Sequence, residues 1–219
     1  MLLLLDKPKG ITSHDVIDRV RRITGERRVG HAGTLDPNAT GLLIVGVGRE
    51  STKKLGDITK NTSKTYEATI YLGESRETDD IEGAIVSKDT SLTAPSTEAV
   101  IEALASFVGI QSQIPPQYSA IKKNGKKAYE EARKGNVVVM DPRTVEIFHA
   151  KLLSFNFPLL VVEFKVSSGT YIRSLARDLG EKLGTVAYLH DLRRTAVGEY
   201  VIKDALTLDT LKETYHRPE

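Results

Sequence analysis

The feature that most constrains this chain is residues 29–41, Val-Gly-His-Ala-Gly-Thr-Leu-Asp-Pro-Asn-Ala-Thr-Gly. The stretch contains three glycines, one proline, one histidine and one aspartate, and it separates a basic predicted helix from the apolar residues 42–47. Glycine adopts backbone conformations that other residues resist, and Pro37 fixes φ directly after Asp36. The stretch therefore predicts a loop of definite shape that presents the Asp36 carboxylate at a fixed place.

The composition bounds the class of protein. At 219 residues, with 40% hydrophobic and 27% charged residues, the chain is typical of a globular protein with a substantial core. No apolar run reaches the length of a membrane span, and residues 1–5 are better explained as a buried strand than as a signal peptide. The absence of cysteine excludes disulfides, thiolate catalysis and cysteine zinc sites, and it fits a cytoplasmic location.

The distribution of charge is more informative than the net charge of +2. Basic side chains outnumber acidic ones from residue 113 to residue 143, in a segment with no sustained hydrophobic period. A basic surface on a nearly neutral protein indicates a polyanionic partner at one face. A solvated lysine-rich loop has the same composition, and charge alone does not separate the two interpretations.

Hydrophobic periodicity predicts a single α+β domain over residues 1–219, with a mostly antiparallel sheet flanked by helices. Strands are predicted at residues 2–5, 42–47, 65–72, 84–86, 145–153, 159–166 and 197–202. Helices are predicted from an N-cap at Ser13 to Gly25, from an N-cap at Ser96 or Thr97, and at residues 128–133, 172–183 and 206–215. Residues 48–64 are expected to be a polar connection, and residues 112–143 an insertion.

Several common catalytic motifs are absent from the sequence. Gly46-Val47-Gly48 lacks the third glycine of a dinucleotide-binding loop, and Arg49-Glu50 replaces the Lys-Ser/Thr of a phosphate-binding loop. The five histidines have no metal-ligand spacing. The acidic turn at residues 74–82 carries carboxylates of the kind that bind Mg²⁺, although a solvated turn is the commoner explanation.

Asp36 has two interpretations. An aspartate before a proline in a glycine-rich loop commonly makes an Asx turn, which is a structural role. His31 lies five residues before it, and the basic segments suit an RNA partner, so a functional role is favoured. Spacing alone does not name the reaction.

The stretch Gly-His-Ala-Gly-Thr-Leu-Asp-Pro at residues 30–37 strongly resembles the catalytic motif of the TruB family of tRNA pseudouridine synthases. The resemblance extends in family order over nearly the whole chain. The matching segments are residues 5–13, 30–41, 64–68, 113–122, 168–175 and 192–195.

The resemblance implies a reaction. Asp36 is the implied nucleophile that detaches uracil from its ribose and allows reattachment through carbon; attack on the base, attack on the sugar and assisted elimination stay open. The uridine is flipped out of the RNA before reaction, and His31 occupies the vacated space. Arg173 pairs with Asp36 and keeps the carboxylate ionised. The reaction is an isomerisation, so no cofactor and no metal are expected.

The resemblance also implies a base pocket and an RNA clamp. Tyr66 stacks on the extruded uracil, while Tyr171 and Leu192 line its pocket. The insertion closes over the phosphates of the RNA and supplies salt-dependent affinity. Its implied RNA-binding residues are Lys122, Lys123, Lys126, Lys127 and Arg133.

The leading hypothesis is a stand-alone, monomeric, cytoplasmic enzyme that converts uridine 55 in the T-loop of tRNA to pseudouridine without a protein partner. Residues after 204 are too few for the C-terminal RNA-binding domain, of the PUA type or a smaller variant, that bacterial members usually carry. Either weaker grip on the acceptor side of the tRNA or compensation by the insertion is expected. The alternatives are a non-catalytic tRNA-folding chaperone, a guide-RNA-dependent synthase subunit, and a metal-dependent nuclease that uses the acidic turn.

Overall fold

A computed structural model describes residues 1–60, 62–119, 121–123, 125–136 and 138–216. Of Lys122, Lys123, Lys126 and Lys127 it describes the backbone alone. The chain divides into two compact units. Unit 1 comprises Met1–Glu67 and Leu192–Glu219, and unit 2 comprises Ala68–Asp191.

The helices and strands alternate along the chain. The strands are β1 (Leu2–Lys7), β2 (Val29–Ala32), β3 (Thr40–Val47), β4 (Lys64–Leu72), β5 (Glu74–Arg76), β6 (Ile85–Lys88), β7 (Gly109–Gln113), β8 (Lys122–Lys123), β9 (Lys126–Lys127), β10 (Arg143–Asn156), β11 (Leu159–Val166), β12 (Ala187–Val197) and β13 (Tyr200–Val201). The α-helices are α1 (Ser13–Thr24), α2 (Arg49–Lys60), α3 (Thr97–Ala105), α4 (Ala128–Ala132), α5 (Ile172–Lys182) and α6 (Leu208–Thr214), and a 3₁₀ turn spans Ile202–Asp204. The predicted α+β class with mostly antiparallel pairing is confirmed.

Strand β3 is central to unit 1. It pairs antiparallel with β1, antiparallel with β2, and in parallel with the end of β12, where Arg194 lies opposite Gly41. Leu43 and Val45 of β3 pack into one core cluster with α1 and α6, whereas Leu42 and Ile44 pack into a second cluster on the other face. Burial on both faces explains why this strand is a continuous apolar run in the sequence.

The first helix is predicted correctly except at its N-terminus. Its N-cap is Thr12, whose hydroxyl accepts a hydrogen bond from the Asp15 backbone N–H while the Asp15 carboxylate accepts one from the Thr12 N–H. This reciprocal pair is a capping box. The predicted cap, Ser13, is buried in the first turn, and its hydroxyl bonds to the backbone of Leu35 instead. The helix ends at Gly25, which has φ of 74°, as predicted.

The polar connection predicted after β3 is wrong, because most of it forms helix α2. Its buried residues are Ser51 and Leu55, so its hydrophobic period is weak. Gly30 of β2 and Gly46 of β3 lie opposite each other in the sheet, and a Cβ on either would come within 3.2 Å of the Leu55 side chain. The two glycines therefore let α2 approach the sheet closely.

Two other strand predictions need correction. Part of the predicted loop forms β2, whose four residues pair with β3. The last strand, predicted at residues 197–202, is a hairpin of β12 and β13 followed by the 3₁₀ turn. Strand β12 was missed because Asp191, Arg193 and Arg194 interrupt its apolar pattern. The predicted terminal helix is confirmed as α6.

Unit 2 is built on an antiparallel sheet. Strand β10 pairs antiparallel with both β11 and β7, and helix α3 packs against β10 and α5. Alternate residues of β4 are buried at Ala68, Ile70 and Leu72, as the sequence pattern predicts. Strand β7 was not predicted, whereas β10, β11, α3 and α5 were. The predicted short helix of the insertion is α4.

Candidate active site

Asp36 lies on a sharply turned loop between β2 and β3. The Ala39 N–H donates to the Asp36 carbonyl at 3.1 Å, which closes a turn with Pro37 at its second position. Gly33 and Gly41 flank this turn with φ of 78° and 102°, in the left-handed region that favours glycine. The loop therefore has a definite shape, and its Asp36 side chain is half-buried.

Lys7 anchors the loop through hydrogen bonds to main-chain carbonyls. Its ammonium donates to the carbonyls of Pro37 at 3.1 Å, Pro8 at 3.0 Å and Ile11 at 2.7 Å, which accounts for all three N–H bonds. The side chain is fully buried. Burial lowers the Lys7 pKa from 10.5 to about 8, and the nearby Asp36 carboxylate acts in the opposite direction. A buried cation thus lies within electrostatic reach of the Asp36 carboxylate.

Ser13 and Arg194 hold the other side of the loop. The Ser13 hydroxyl donates to the Leu35 carbonyl at 3.0 Å and accepts from the Leu35 N–H at 2.9 Å. Arg194 is 1% exposed, and its guanidinium donates to the carbonyls of Leu42 at 2.8 Å and Gly33 at 3.0 Å. In the part of the chain that the structure describes, no carboxylate pairs with Arg194. The loop is therefore fixed through its backbone by two buried cations and one buried hydroxyl.

His31 lies on β2, opposite Val45 of β3. Its Nδ1 is buried and has no hydrogen-bond partner among the described residues. Burial lowers the His31 pKa and the nearby Arg194 guanidinium lowers it further, so the ring is neutral near pH 7. A neutral, flat ring is suited to packing against a base.

A cavity of about 610 Å³ opens beside His31 in unit 1. Three arginines line it together with apolar and small side chains. The lining residues are Arg21, Arg27, Arg28, Val29, Gly30, His31, Thr52 and Leu55.

Two other predicted pocket residues belong to unit 1. Tyr66 lies on β4 and is half-buried. Leu192 begins the unit 1 part of β12, is half-buried, and accepts a hydrogen bond from the Thr40 hydroxyl at 3.4 Å through its carbonyl. Next to it, Arg193 makes a two-pronged ion pair with Asp6, at 3.1 and 2.7 Å. β12 is thereby attached to the start of the chain.

Tyr171 lies in unit 2, at the N-terminus of α5. Its backbone N–H donates to the Gln113 side chain at 2.8 Å, and the Gln113 amide donates back to the Tyr171 carbonyl at 3.0 Å. The Arg143 guanidinium lies 5.7 Å from the centre of the Tyr171 ring. Gln113 is 2% exposed, so this reciprocal pair fixes Tyr171 within unit 2.

Arg173 is buried in unit 2. Its guanidinium donates to the carbonyls of Thr78 at 3.2 Å and Tyr118 at 3.0 Å, and it forms an ion pair with the Asp80 carboxylate at 3.2 Å. The pairing of Arg173 with Asp36 joins residues of different units and stays a prediction. Arg173 is in any case a positioned cation and not a solvated surface residue.

The acidic turn is occupied by basic partners. Glu74 pairs with Arg76 at 2.7 Å and with Lys88 at 3.0 Å, and Asp79 pairs with Arg177 at 3.0 Å. Within the described residues, no group of three or more histidine, aspartate or glutamate side chains is arranged as a metal site. The carboxylates of the turn therefore organise unit 2 through ion pairs.

The insertion is described only in part. The backbone of Lys122 and Lys123 pairs with that of Lys126 and Lys127 in a small hairpin, and these four side chains lie outside the described residues. Arg133 is exposed, and its guanidinium lies 5.4 Å from the centre of the Tyr129 ring. The RNA-binding role of these five residues stays a prediction.

Sequence reasoning assigned no role in the site to Lys7, Ser13 or Arg194. Lys7 and Ser13 fall in the first segment that resembles the family, and Arg194 falls in the last. Lysine and arginine are almost never fully buried unless paired, so composition favoured the surface for both. The sequence signal that could have identified them is their position within those segments. In the fold these residues lie next to the loop, although they are distant from it in the chain.

Comparison with known proteins identifies relatives of both parts of the chain. Residues 21–172 match the family model described as TruB family pseudouridylate synthase (N terminal domain). Residues 173–219 match the one described as tRNA pseudouridylate synthase B C-terminal domain. In the described part of the chain, no helix has the length and apolar character that a membrane span requires.

Individual relatives agree with the family models. A protein of Arthrobacter sp. (strain FB24) named tRNA pseudouridine synthase B is 50% identical, over 97% of this chain and 70% of its own length. A protein of the same name from Opitutus terrae is 44% identical, over 96% of this chain and 86% of its own. A chain in the crystal structure of the archaeal box H/ACA sRNP Nop10-Cbf5 complex has a TM-score of 0.72 at 25% identity. That match covers 98% of this chain and about half, 53%, of the other.

Proposed function

The chain belongs to the TruB family of tRNA pseudouridine synthases, and from this premise we propose that it isomerises uridine 55 in the T-loop of tRNA with Asp36 as the nucleophile. Pseudouridine formation breaks the bond from ribose C1′ to uracil N1 and makes a bond from C1′ to C5. The C5 proton is lost, and N1 gains a proton. Atoms and electrons balance within the nucleotide, so no cofactor is required.

The observation that carries the proposal is the anchoring of the Asp36 loop. Four groups of unit 1 hold its backbone: the Lys7 ammonium, the Ser13 hydroxyl, the Arg194 guanidinium and the Gly10 N–H, which donates to the Pro37 carbonyl at 2.9 Å. A carboxylate that reacts at a glycosidic carbon or a ring carbon must be held in a near-attack position. Attack on the base, attack on the sugar and assisted elimination all use a fixed, ionised carboxylate.

His31 is proposed to stand where the target uridine leaves the stack. Flipping costs a few kcal/mol of stacking and pairing, and a side chain that fills the gap offsets part of that cost. A neutral imidazole is suited to this role, because its flat ring can stack on a neighbouring base. The lowered pKa of His31 keeps the ring neutral.

The remaining roles are proposals that rest on the family. Tyr66 stacks on the flipped uracil, Tyr171 and Leu192 line its pocket, and Arg173 pairs with the Asp36 carboxylate. The insertion at residues 112–143 closes over the T-arm and neutralises its phosphates. Its contacts are assigned to Lys122, Lys123, Lys126, Lys127 and Arg133. The enzyme is proposed to act as a cytoplasmic monomer.

Asp36→Asn tests the nucleophile. The amide keeps the size of the side chain but removes its charge and nucleophilicity, so pseudouridine at position 55 is expected to fall below detection while tRNA affinity is retained. The assay is incubation with unmodified tRNA and no other macromolecule, followed by site-resolved pseudouridine detection. Asp57→Asn, an exposed aspartate of α2, is the matched control. Full activity of Asp36→Asn contradicts the assignment.

The wild-type enzyme in the same assay separates the other candidate functions. Unchanged tRNA would indicate a chaperone, and activity only after addition of a guide RNA would indicate a guided subunit. Strand cleavage that a chelator abolishes would indicate a nuclease. Modification at another uridine would contradict the T-loop assignment alone.

A further inference from the structure

We propose that the cavity beside His31, hereafter the arginine cavity, is a subsite for backbone phosphates of the RNA next to the flipped nucleotide. The inference rests on the proposed function, since it takes RNA as the substrate. It adds a second phosphate-binding surface, in unit 1, to the one proposed for the insertion. Its phosphate ligands are Arg27 and Arg28.

The arginine cavity has a one-sided charge. Arg21, Arg27 and Arg28 line it, and none of its lining residues is acidic. Arg21 is committed to the protein, because its guanidinium pairs with Asp18 at 2.8 Å. The two remaining arginines leave a local excess of positive charge, which attracts a polyanion and not a neutral base.

Arg27 and Arg28 are available for a ligand. Both are exposed, and among the described residues neither guanidinium has a hydrogen bond or an ion pair. An arginine side chain that is not used in folding and lines a cavity offers a planar set of donors that fits phosphate oxygens in pairs.

The backbone beneath these arginines is fixed. The Arg21 guanidinium donates to the carbonyls of Arg27 at 3.2 Å and Val29 at 3.3 Å. The Arg28 carbonyl accepts from the Gly48 N–H at 2.8 Å, and the Arg28 N–H donates to the Glu26 carboxylate at 2.7 Å. Little backbone entropy is therefore lost when a ligand binds. This favours specific phosphate contacts over nonspecific electrostatic attraction.

The location of the arginine cavity links it to the reacting nucleotide. His31 forms part of its wall, and β2 continues from His31 into the loop that carries Asp36. Arg28 lies three residues before His31 in the same strand region. Because Arg27, Arg28 and His31 line one cavity, the RNA phosphates proposed to bind there are those next to the nucleotide that His31 replaces.

The first test is the salt dependence of binding. A T-arm hairpin of unmodified RNA is titrated with wild type and with the double variant Arg27→Gln/Arg28→Gln between 50 and 200 mM salt. Each lost phosphate contact lowers the slope of log affinity against log salt by about 0.7–0.9, so a decrease of about 1.5 is expected. The matched control is Arg19→Gln/Arg22→Gln, which removes two exposed arginines of α1 outside the cavity. Equal slope changes in the two variants would overturn the proposal.

The second test locates the contact. A set of hairpins is prepared, each with a single neutral methylphosphonate at a different position around the target uridine. The affinity of each hairpin is measured for wild type and for the double variant. One or two positions next to the target are expected to weaken wild-type binding about threefold or more and to have no added effect in the variant. Additive losses at every position would refute the subsite. Both tests measure binding, whereas a failure of the proposed function is seen as unchanged uridine with wild type.

Discussion

Replacement of Lys7 by methionine tests whether this residue contributes to the stability of the fold alone or also to the activity of the site. Methionine keeps the length and apolar stem but removes the three charge-assisted hydrogen bonds, which contribute about 1.5–3 kcal/mol each. The fall of the Lys7 pKa from 10.5 to about 8 reflects a burial cost of about 3.4 kcal/mol, at 1.36 kcal/mol per pH unit. The difference is a net loss of roughly 1–6 kcal/mol of unfolding free energy in Lys7→Met.

The matched control is Lys64→Met. Lys64 is also buried in unit 1, its pKa is also lowered to about 8 by burial, and it donates to the carbonyls of Thr59 at 2.6 Å and Thr62 at 2.8 Å. It makes one carbonyl bond fewer than Lys7, and in the described part of the chain none of its hydrogen bonds reaches the Asp36 loop. Both variants are therefore expected to lose stability, with the larger loss in Lys7→Met.

Activity distinguishes the two variants. Lys7 holds the Pro37 carbonyl, next to Asp36, and a displacement of the carboxylate by about 1 Å costs about a hundredfold in rate. We expect kcat for pseudouridine formation to fall about 10- to 100-fold in Lys7→Met and to change less than about twofold in Lys64→Met. The assays are urea unfolding and single-turnover kinetics at a temperature where both variants are folded. Equal kcat values for the two variants would refute the anchoring role of Lys7.

Further predictions follow from the cap, the loop and the buried lysines. Thr12→Ala is expected to lower the free energy of unfolding by about 1 kcal/mol in urea, since it removes the N-cap, and to leave kcat unchanged. Ser13→Ala is expected to lower kcat, because it releases the backbone of the Asp36 loop. Lost stability with unchanged kcat in Ser13→Ala, and lowered kcat in Thr12→Ala, would indicate that Ser13 is the cap. Gly41→Ala is expected to give no cooperative thermal unfolding, since φ is 102° and a Cβ would collide with the Arg194 backbone; a normal transition would contradict this. Unfolding free energy is expected to rise from about pH 8 to about pH 10.5, because there the unfolded Lys7 and Lys64 hold a proton that the folded chain has released. Lys7→Met is expected to reduce that rise measurably in urea unfolding experiments between pH 8 and pH 10.5. A wild-type free energy of unfolding that falls as the pH rises over this range would contradict the burial of both charges.

Elements whose own residues carry a clear hydrophobic pattern, either a continuous apolar run or a period, could be predicted from the sequence. Strand β3, with its apolar residues on both faces, and helix α1, with Val16, Ile17 and Val20 on one side, are examples. Helix α2 carries little such information, because its place depends on two glycines in other strands that leave room for Leu55. A pairing of this kind depends on the fold and cannot be seen as a local period.

The same distinction holds at the candidate site. The loop that carries Asp36 could be found from its glycines and its proline, which act on their own backbone. Lys7 and Arg194 could not be assigned from local sequence, because their function depends on burial beneath a loop that is distant in the chain. A charged residue in a sequence predicts solvent exposure until the fold supplies carbonyl groups to receive it.

The Asp36 loop is held almost entirely through its main-chain atoms, and this separates its shape from its own side chains. Lys7, Ser13 and Arg194 bind carbonyl and amide groups that every amino acid possesses. Thr34 is exposed and Asn38 is half-buried. Both can therefore be randomised while the carboxylate keeps its position. A combinatorial library at these two positions is therefore expected to retain the reaction, and the loop offers two variable side chains beside a fixed carboxylate.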